Sequence, residues 1–156
     1  SSGAGRLFDA VSALLGLCTE ATFDSEAPMR LESAISDKTD DFYPFMAGKP
    51  IVFDETLKAI LEDLPRQTTS IISAKFHNTV ARVILDTCLQ IRKETALNKV
   101  ILSGGGFQNK YLMEKSLYLL DHNGFEALTN HQVPANDGGI SLGQLVIASK
   151  LRETCV

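Results

Sequence analysis

Apolar positions recur along the chain at two different periods, and the change from one to the other marks its organisation. Near the N-terminus Leu7, Phe8, Val11, Leu14 and Leu15 fall at helical spacing with Gly16 near the end of the run, which predicts an amphipathic helix. A second helix is expected to begin near Pro28, whose fixed φ suits a first turn, and to carry Met29, Leu31, Ala34 and Ile35. The stretch from Ser36 to Pro50 mixes charge, Pro and Gly and reads as a loop. "PIVFDETLKAILEDLP" reads as a short extended piece followed by a helix capped by Asp54 and stopped at Pro65, with Leu57, Ile60, Leu61 and Leu64 on one face. The longest helical pattern runs from Ser70 to about Glu94, its buried stripe marked by Ile72, Phe76, Val80, Val83, Ile84 and Ile91.

Then the period shortens. "KVILS" is a β-branched and apolar run that ends in glycines, as a buried strand of a layered α/β domain does. "KYLMEKSLYLLDHNG" reads as a helix closing at Asn123-Gly124, "FEALT" as a second strand and "GGISLGQLVIASKLRE" as a terminal helix. The expected order is thus a set of helices followed by an α/β unit, with no internal repeat and no low-complexity segment.

The 156 residues suit one domain or one lobe of a larger protein, and 44% hydrophobic content is enough for a core. Fifteen Lys and Arg against nineteen Asp and Glu give a net charge of −4, with no basic block to track phosphates along a duplex, so nucleic acid is not expected as a partner. The apolar runs are too short to span a membrane and the N-terminus lacks signal-peptide character, so the expectation is no membrane association and a cytoplasmic location. Cys18, Cys88 and Cys155 are widely spaced and form no CxxC, which argues against a disulfide framework or a zinc ribbon. Cys18 and Cys88 read as small core hydrophobes and Cys155 as a mobile terminal residue.

Two glycine-rich segments carry the candidate chemistry. Ser103, Gly104, Gly105 and Gly106 follow a strand and precede a helix, where bare N–H groups bind anions and phosphates. They match neither the P-loop nor the GxGxxG fingerprint, and a tight strand-to-helix turn accounts for them equally well. In "VPANDGGISLGQ", Asp137 is placed as an N-cap, although a carboxylate at such a turn also suits a metal ion or an ordered water. His77 in the long helix, His122 at a helix end and His131 in a loop lack metal-ligand spacing, and Asp37, Asp40 and Asp41 read as a solvated acidic run.

Four stretches, "SSGAGRLFDAVSALLGL", "EAPMRLE", "LSGGGFQN" and "VPANDGGISLGQLVIA", closely resemble in order and spacing the C-terminal end of the HypF family of hydrogenase maturation carbamoyltransferases. The resemblance covers both ends of the chain, while residues from about Ser36 to Arg66 match nothing in it. It implies an α/β, helix-rich second lobe of an actin/Hsp70/sugar-kinase-like fold with a small sheet, with residues 1–156 forming the C-terminal lobe of a carbamoyltransferase domain within a larger protein. It further implies that carbamoyl phosphate and ATP yield a carbamoyl-adenylate, whose carbamoyl group passes to the C-terminal cysteine of a partner, HypE. By the same resemblance Gly5, Asp9, Gly104, Gly105 and Asn109 are nucleotide-binding, with Asp9 accepting from ribose hydroxyls, and Asp137 is a ligand of a divalent metal ion of the zinc or iron type. That metal is expected only together with the other lobe, whose HxxxH element no histidine here forms. Arg6 stands where the related tRNA-modifying transferases carry an acidic residue, which points to the HypF branch. No catalytic residue is assigned, and the isolated fragment is expected to be inactive and to form a homodimer. An antibiotic O-carbamoyltransferase and a non-catalytic nucleotide-binding or interaction module are the alternatives.

Overall fold

The computed structural model describes residues 3–48 and 50–153. Six helices and two strands follow in the order α1 (Ala4–Leu14), α2 (Glu26–Ser33), α3 (Asp54–Asp63), α4 (Thr69–Thr95), β1 (Lys99–Leu102), α5 (Lys110–His122), β2 (Glu126–Thr129) and α6 (Ile140–Glu153), with short 3-10 turns at Gly105–Gln108 and Asp137–Gly139. Cys155 lies outside the described residues.

The long helix α4 is the axis of the molecule. Thr68 caps its start by accepting from the Ile71 N–H, and Ala96 ends it in a left-handed conformation. Ile72, Phe76, Val80 and Ala81 form its core stripe with Phe8 and Val11 of α1, Leu31 of α2, Ile60 of α3 and Leu112 of α5. Because each neighbouring helix meets α4 along a narrow line, only that line is buried. Leu14, Met29, Leu61, Leu64 and Ile91, all expected on apolar faces, are exposed. In α3 the inward position beside Ile60 belongs to Thr56, whose hydroxyl donates to the Pro44 carbonyl.

One helix start falls where it was expected, with Pro28 in the first turn, and one differs. Helix α2 begins at Glu26, upstream of Pro28, because the buried Glu26 carboxylate accepts from the Thr22 N–H and hydroxyl and pairs with Arg30. Those hydrogen bonds, the Thr22 N–H first, hold its pKa below the usual range. Asp54 does not cap α3 but is its first helical residue, where a negative charge still complements the helix dipole.

Among its described residues the segment from Ser36 to Pro50 has no helix or strand apart from an isolated antiparallel bridge between Met46 and Val52, yet polar side chains of α4 fasten it down. Ser70 accepts from the Ser36 and Asp37 N–H groups, Asn78 donates to the Thr39 and Asp41 carbonyls, and Thr79 accepts from the Tyr43 N–H. Tyr43 is buried, donates to Asp63 and lies under the Lys75 ammonium, which also pairs with Asp63. Asp37, Asp40 and Asp41 are solvated as expected, and Asp40 pairs with Lys115.

Strands β1 and β2 form a two-stranded parallel sheet joined through α5, in a register that sets Lys99 beside Glu126 and Leu102 beside Thr129. Leu102 packs with Leu85, Leu120 and Phe125 against α4 and α5. The expectation of a buried strand holds for one face only. Ile101 is 70% exposed and Leu128 40%, because among the described residues nothing covers the second face.

Candidate functional site

The site is assembled where β1 gives way to α5. After Leu102 the chain passes Ser103, turns at Gly104 with φ 107°, and winds through the 3-10 turn to Asn109, which caps α5 by accepting from the Leu112 N–H at 2.8 Å. Gly104 donates its own N–H to the Ala135 carbonyl at 2.8 Å, which hooks this turn to the second glycine-rich turn. There Asn136 accepts from the Gly138 N–H at 3.0 Å, and an open cleft of about 330 Å³ lies between the two turns, with Ser103, Gly104, Asn136 and Asp137 among its lining residues.

The glycines divide into those that the fold needs and those that it does not. Gly104 needs its freedom because of its positive φ. A Cβ on Gly139 would lie 2.9 Å from the Pro134 carbonyl oxygen and 3.1 Å from a Val133 methyl, so only glycine lets this turn close. Gly139→Ala is therefore expected to destabilise the turn by about 1–3 kcal/mol, read as faster proteolysis near residue 139 and a lower unfolding midpoint. Gly105, Gly106 and Gly5 are different. A Cβ on any of them meets nothing within 4 Å, and none has a left-handed φ. Gly5 lies in the first turn of α1, where Ala is preferred by up to about 1 kcal/mol, so the bare backbone there serves neither packing nor helix stability.

The predicted residues take up definite places. Asp9 is half-exposed on α1 and pairs loosely with Arg6 at 3.4 Å. Phe8, its neighbour in the chain, turns inward and meets Phe76 and His77 edge-on at 5.0 and 5.3 Å. Asn109 uses its side-chain oxygen on the α5 cap and its amide nitrogen on Nε2 of His77 at 2.9 Å. Gly104 contributes shape, since its N–H is already engaged. Asp137 is not the cap expected from local sequence; that role falls to Asn136, and none of the hydrogen bonds or ion pairs described uses the Asp137 carboxylate.

Asp137 alone is not a metal site. Among the described residues no three His, Cys, Asp or Glu side chains converge to hold an ion. His122 bonds the Tyr118 carbonyl and His131 approaches the Thr129 hydroxyl, neither near another ligand-bearing cluster. Cys18 is buried and burial raises the Cys88 thiol pKa, so neither is poised as a nucleophile.

His77 is the site residue whose place the sequence did not reveal. Fully buried, it donates from Nδ1 to the Ser73 carbonyl at 2.8 Å, which leaves Nε2 as the acceptor for Asn109. Burial pushes its pKa down to about 4, partly countered by the Ser73 carbonyl, so the ring is neutral. Tyr111 closes the far side, its ring 5.5 Å from the imidazole, its N–H on Glu32 and its hydroxyl on Asn78. The available signal was a histidine one turn after Ser73 and beside Phe76 of the core stripe; its partner 32 positions away has no local signature.

A family model described as "Carbamoyltransferase, Kae1-like Domain, second subdomain" matches residues 1–144. The carbamoyltransferase HypF of Synechocystis sp. is 35% identical over 98% of this chain, and that of Rhodobacter capsulatus 36% identical over 97%. The chain spans about 20% of the length of each. A crystal structure of full-length HypF in the phosphate- and nucleotide-bound form superposes with a TM-score of 0.88 at 47% identity, covering 94% of this chain and 24% of that one. Among the described residues no helix is long and apolar enough to cross a membrane.

Proposed function

Since the chain belongs to the HypF carbamoyltransferase family, as a second subdomain of its Kae1-like domain, we propose that it is one lobe of a two-lobed, actin/Hsp70/sugar-kinase-like carbamoyltransferase and forms one wall of its nucleotide site. The observation that carries this reading is the bare backbone at Gly5, Gly105 and Gly106, for which the fold has no internal use. Close approach of a ligand is the remaining physical reason to keep a side chain away. The nucleotide in the bound form of the structural relative supplies a ligand of suitable chemistry.

In this reading Asp9 accepts from ribose hydroxyls after its weak, exposed pairing with Arg6 gives way. Gly105 and Gly106 lie against the nucleotide through their backbone, and Asn109 offers the amide hydrogen that His77 does not take. The full protein forms a carbamoyl-adenylate from carbamoyl phosphate, ATP and water, with phosphate and pyrophosphate as the leaving groups. The thiolate of the C-terminal cysteine of HypE attacks its carbamoyl carbon, and AMP leaves with the bonding electron pair. The present residues bind and orient, and the reacting groups come from elsewhere.

Gly105→Ala in the full-length protein is the direct test. A Cβ there meets nothing, so thermal stability should be unchanged, while ATP affinity measured by calorimetry should fall at least about tenfold, a loss of about 1.4 kcal/mol. Unchanged affinity would show that no ligand uses this turn.

A further inference from the structure

We infer that His77 is a positioning residue of the nucleotide site, holding the glycine turn in its ligand-ready shape through a single hydrogen bond to Asn109. The inference rests on the nucleotide reading above and extends it to a residue 32 positions upstream, on a different helix.

The chain of contacts is short and directional. The Ser73 carbonyl takes the Nδ1 proton of His77 at 2.8 Å, which fixes the tautomer and leaves Nε2 with a lone pair facing outward from α4. Asn109 Nδ2 donates to that lone pair at 2.9 Å. With its nitrogen so engaged, the Asn109 amide has one orientation, and its oxygen faces the Leu112 N–H at 2.8 Å. Asn109 also donates its backbone N–H to the Gly106 carbonyl at 3.3 Å, so the last peptide of the glycine turn is tied to the same residue. Fixing one imidazole therefore fixes the end of the turn and the start of α5 together.

The surroundings keep the imidazole in that state. Phe8, Phe76 and Tyr111 enclose it edge-on with ring centroids 5.3, 5.9 and 5.5 Å away. Ser73 does not compete for Nε2, because its hydroxyl approaches the other ring nitrogen and donates to the Leu31 carbonyl. Phe8 comes from α1, the helix that carries Gly5 and Asp9. A buried polar group without its partner is costly, which leaves two discrete states: the turn is either bonded to His77 or displaced.

Two substitutions separate this role from simple packing. His77→Phe keeps an aromatic ring against Phe8, Phe76 and Tyr111 but removes the acceptor; His77→Gln loses the ring but offers a side-chain oxygen near the place of Nε2. In the full-length protein, ATP affinity by calorimetry should fall at least about tenfold in His77→Phe and stay within about threefold of wild type in His77→Gln. Amide exchange measured by mass spectrometry over residues 103–113 should rise only in the Phe variant. Equal exchange over this segment in wild type and His77→Phe would overturn the inference, as would faster exchange without loss of ATP affinity. A loss of affinity in both variants alike would assign His77 to packing and also overturn it. If the wild-type protein binds no ATP, the nucleotide reading itself fails, and the exchange result alone decides whether His77 sets the turn.

Discussion

The isolated chain, supplied with carbamoyl phosphate, ATP and HypE, is expected to transfer no carbamoyl group and to associate with itself as its concentration rises. The first expectation follows from what the described residues lack. Cys18 and His77 are buried, burial raises the Cys88 thiol pKa, and in the reading proposed above the reacting groups come from elsewhere in the full protein. The second follows from surface that a finished domain does not leave open. Ile101 and Leu128 face outward from the sheet, and Leu142, Leu145, Val146 and Ile147 are exposed along α6. A two-stranded parallel sheet with one bare face is an unfinished layer, and apolar surface of this extent tends to find a partner, which in a pure sample is a second copy. Carbamoyl phosphate-dependent ATP cleavage at the rate of the full-length protein would refute the first expectation. Sedimentation equilibrium over a wide concentration range checks the second, and a strictly monomeric mass throughout would refute it.

Acid should weaken the fold through His77 before it reaches the carboxylates. The native pKa is lowered to about 4 from the ordinary 6.5, so between these values the unfolded chain binds a proton that the folded chain refuses. Stability is then fully retained above about pH 6.5, declines as the pH falls and levels off, for this group, below about pH 4. The fall from 6.5 to about 4 corresponds to about 3 kcal/mol, a large share of the roughly 5–15 kcal/mol that holds a typical domain together. Glu26, Asp40 and Asp63 have pKa values below their ordinary 4.5 and 3.8, so their contribution is lost only as the pH falls through those values, at the acid end of this window and below it. Denaturant unfolding at a series of pH values would show the slope in the wild-type protein and a flattened one in His77→Phe. The same slope in both would mean that His77 is not the group responsible.

The helices could be read from the sequence because each has to bury a stripe and the spacing of Phe8 and Val11, or of Ile72, Phe76 and Val80, records it. The second flank was harder. Leu61, Leu64 and Ile91 continue the apolar pattern but stand in solvent, and Thr56 goes inward because its hydroxyl has the Pro44 carbonyl to bond. Nothing in the period distinguishes a leucine facing α4 from one facing away. Likewise, Ser36 to Pro50 was legible as lacking regular structure but not as fastened down, since its anchors are Ser70, Asn78 and Thr79, ordinary polar residues until they are set beside it.

Local conformational preference and side-chain period are written in adjacent residues, so the elements, the two glycine-rich turns and the family could be read without coordinates. Tertiary structure alone decided which glycines have an internal purpose. Gly139 is pressed against Pro134 and Gly104 is turned to a positive φ, whereas Gly105 faces open space, and a run of identical letters cannot separate these cases. It also decided the cap, moving it from Asp137 to Asn136, and it alone joined His77 to Asn109. That last bond depends on two side chains from different helices meeting at 2.9 Å, a distance set by how α4 and α5 pack rather than by any spacing along the chain.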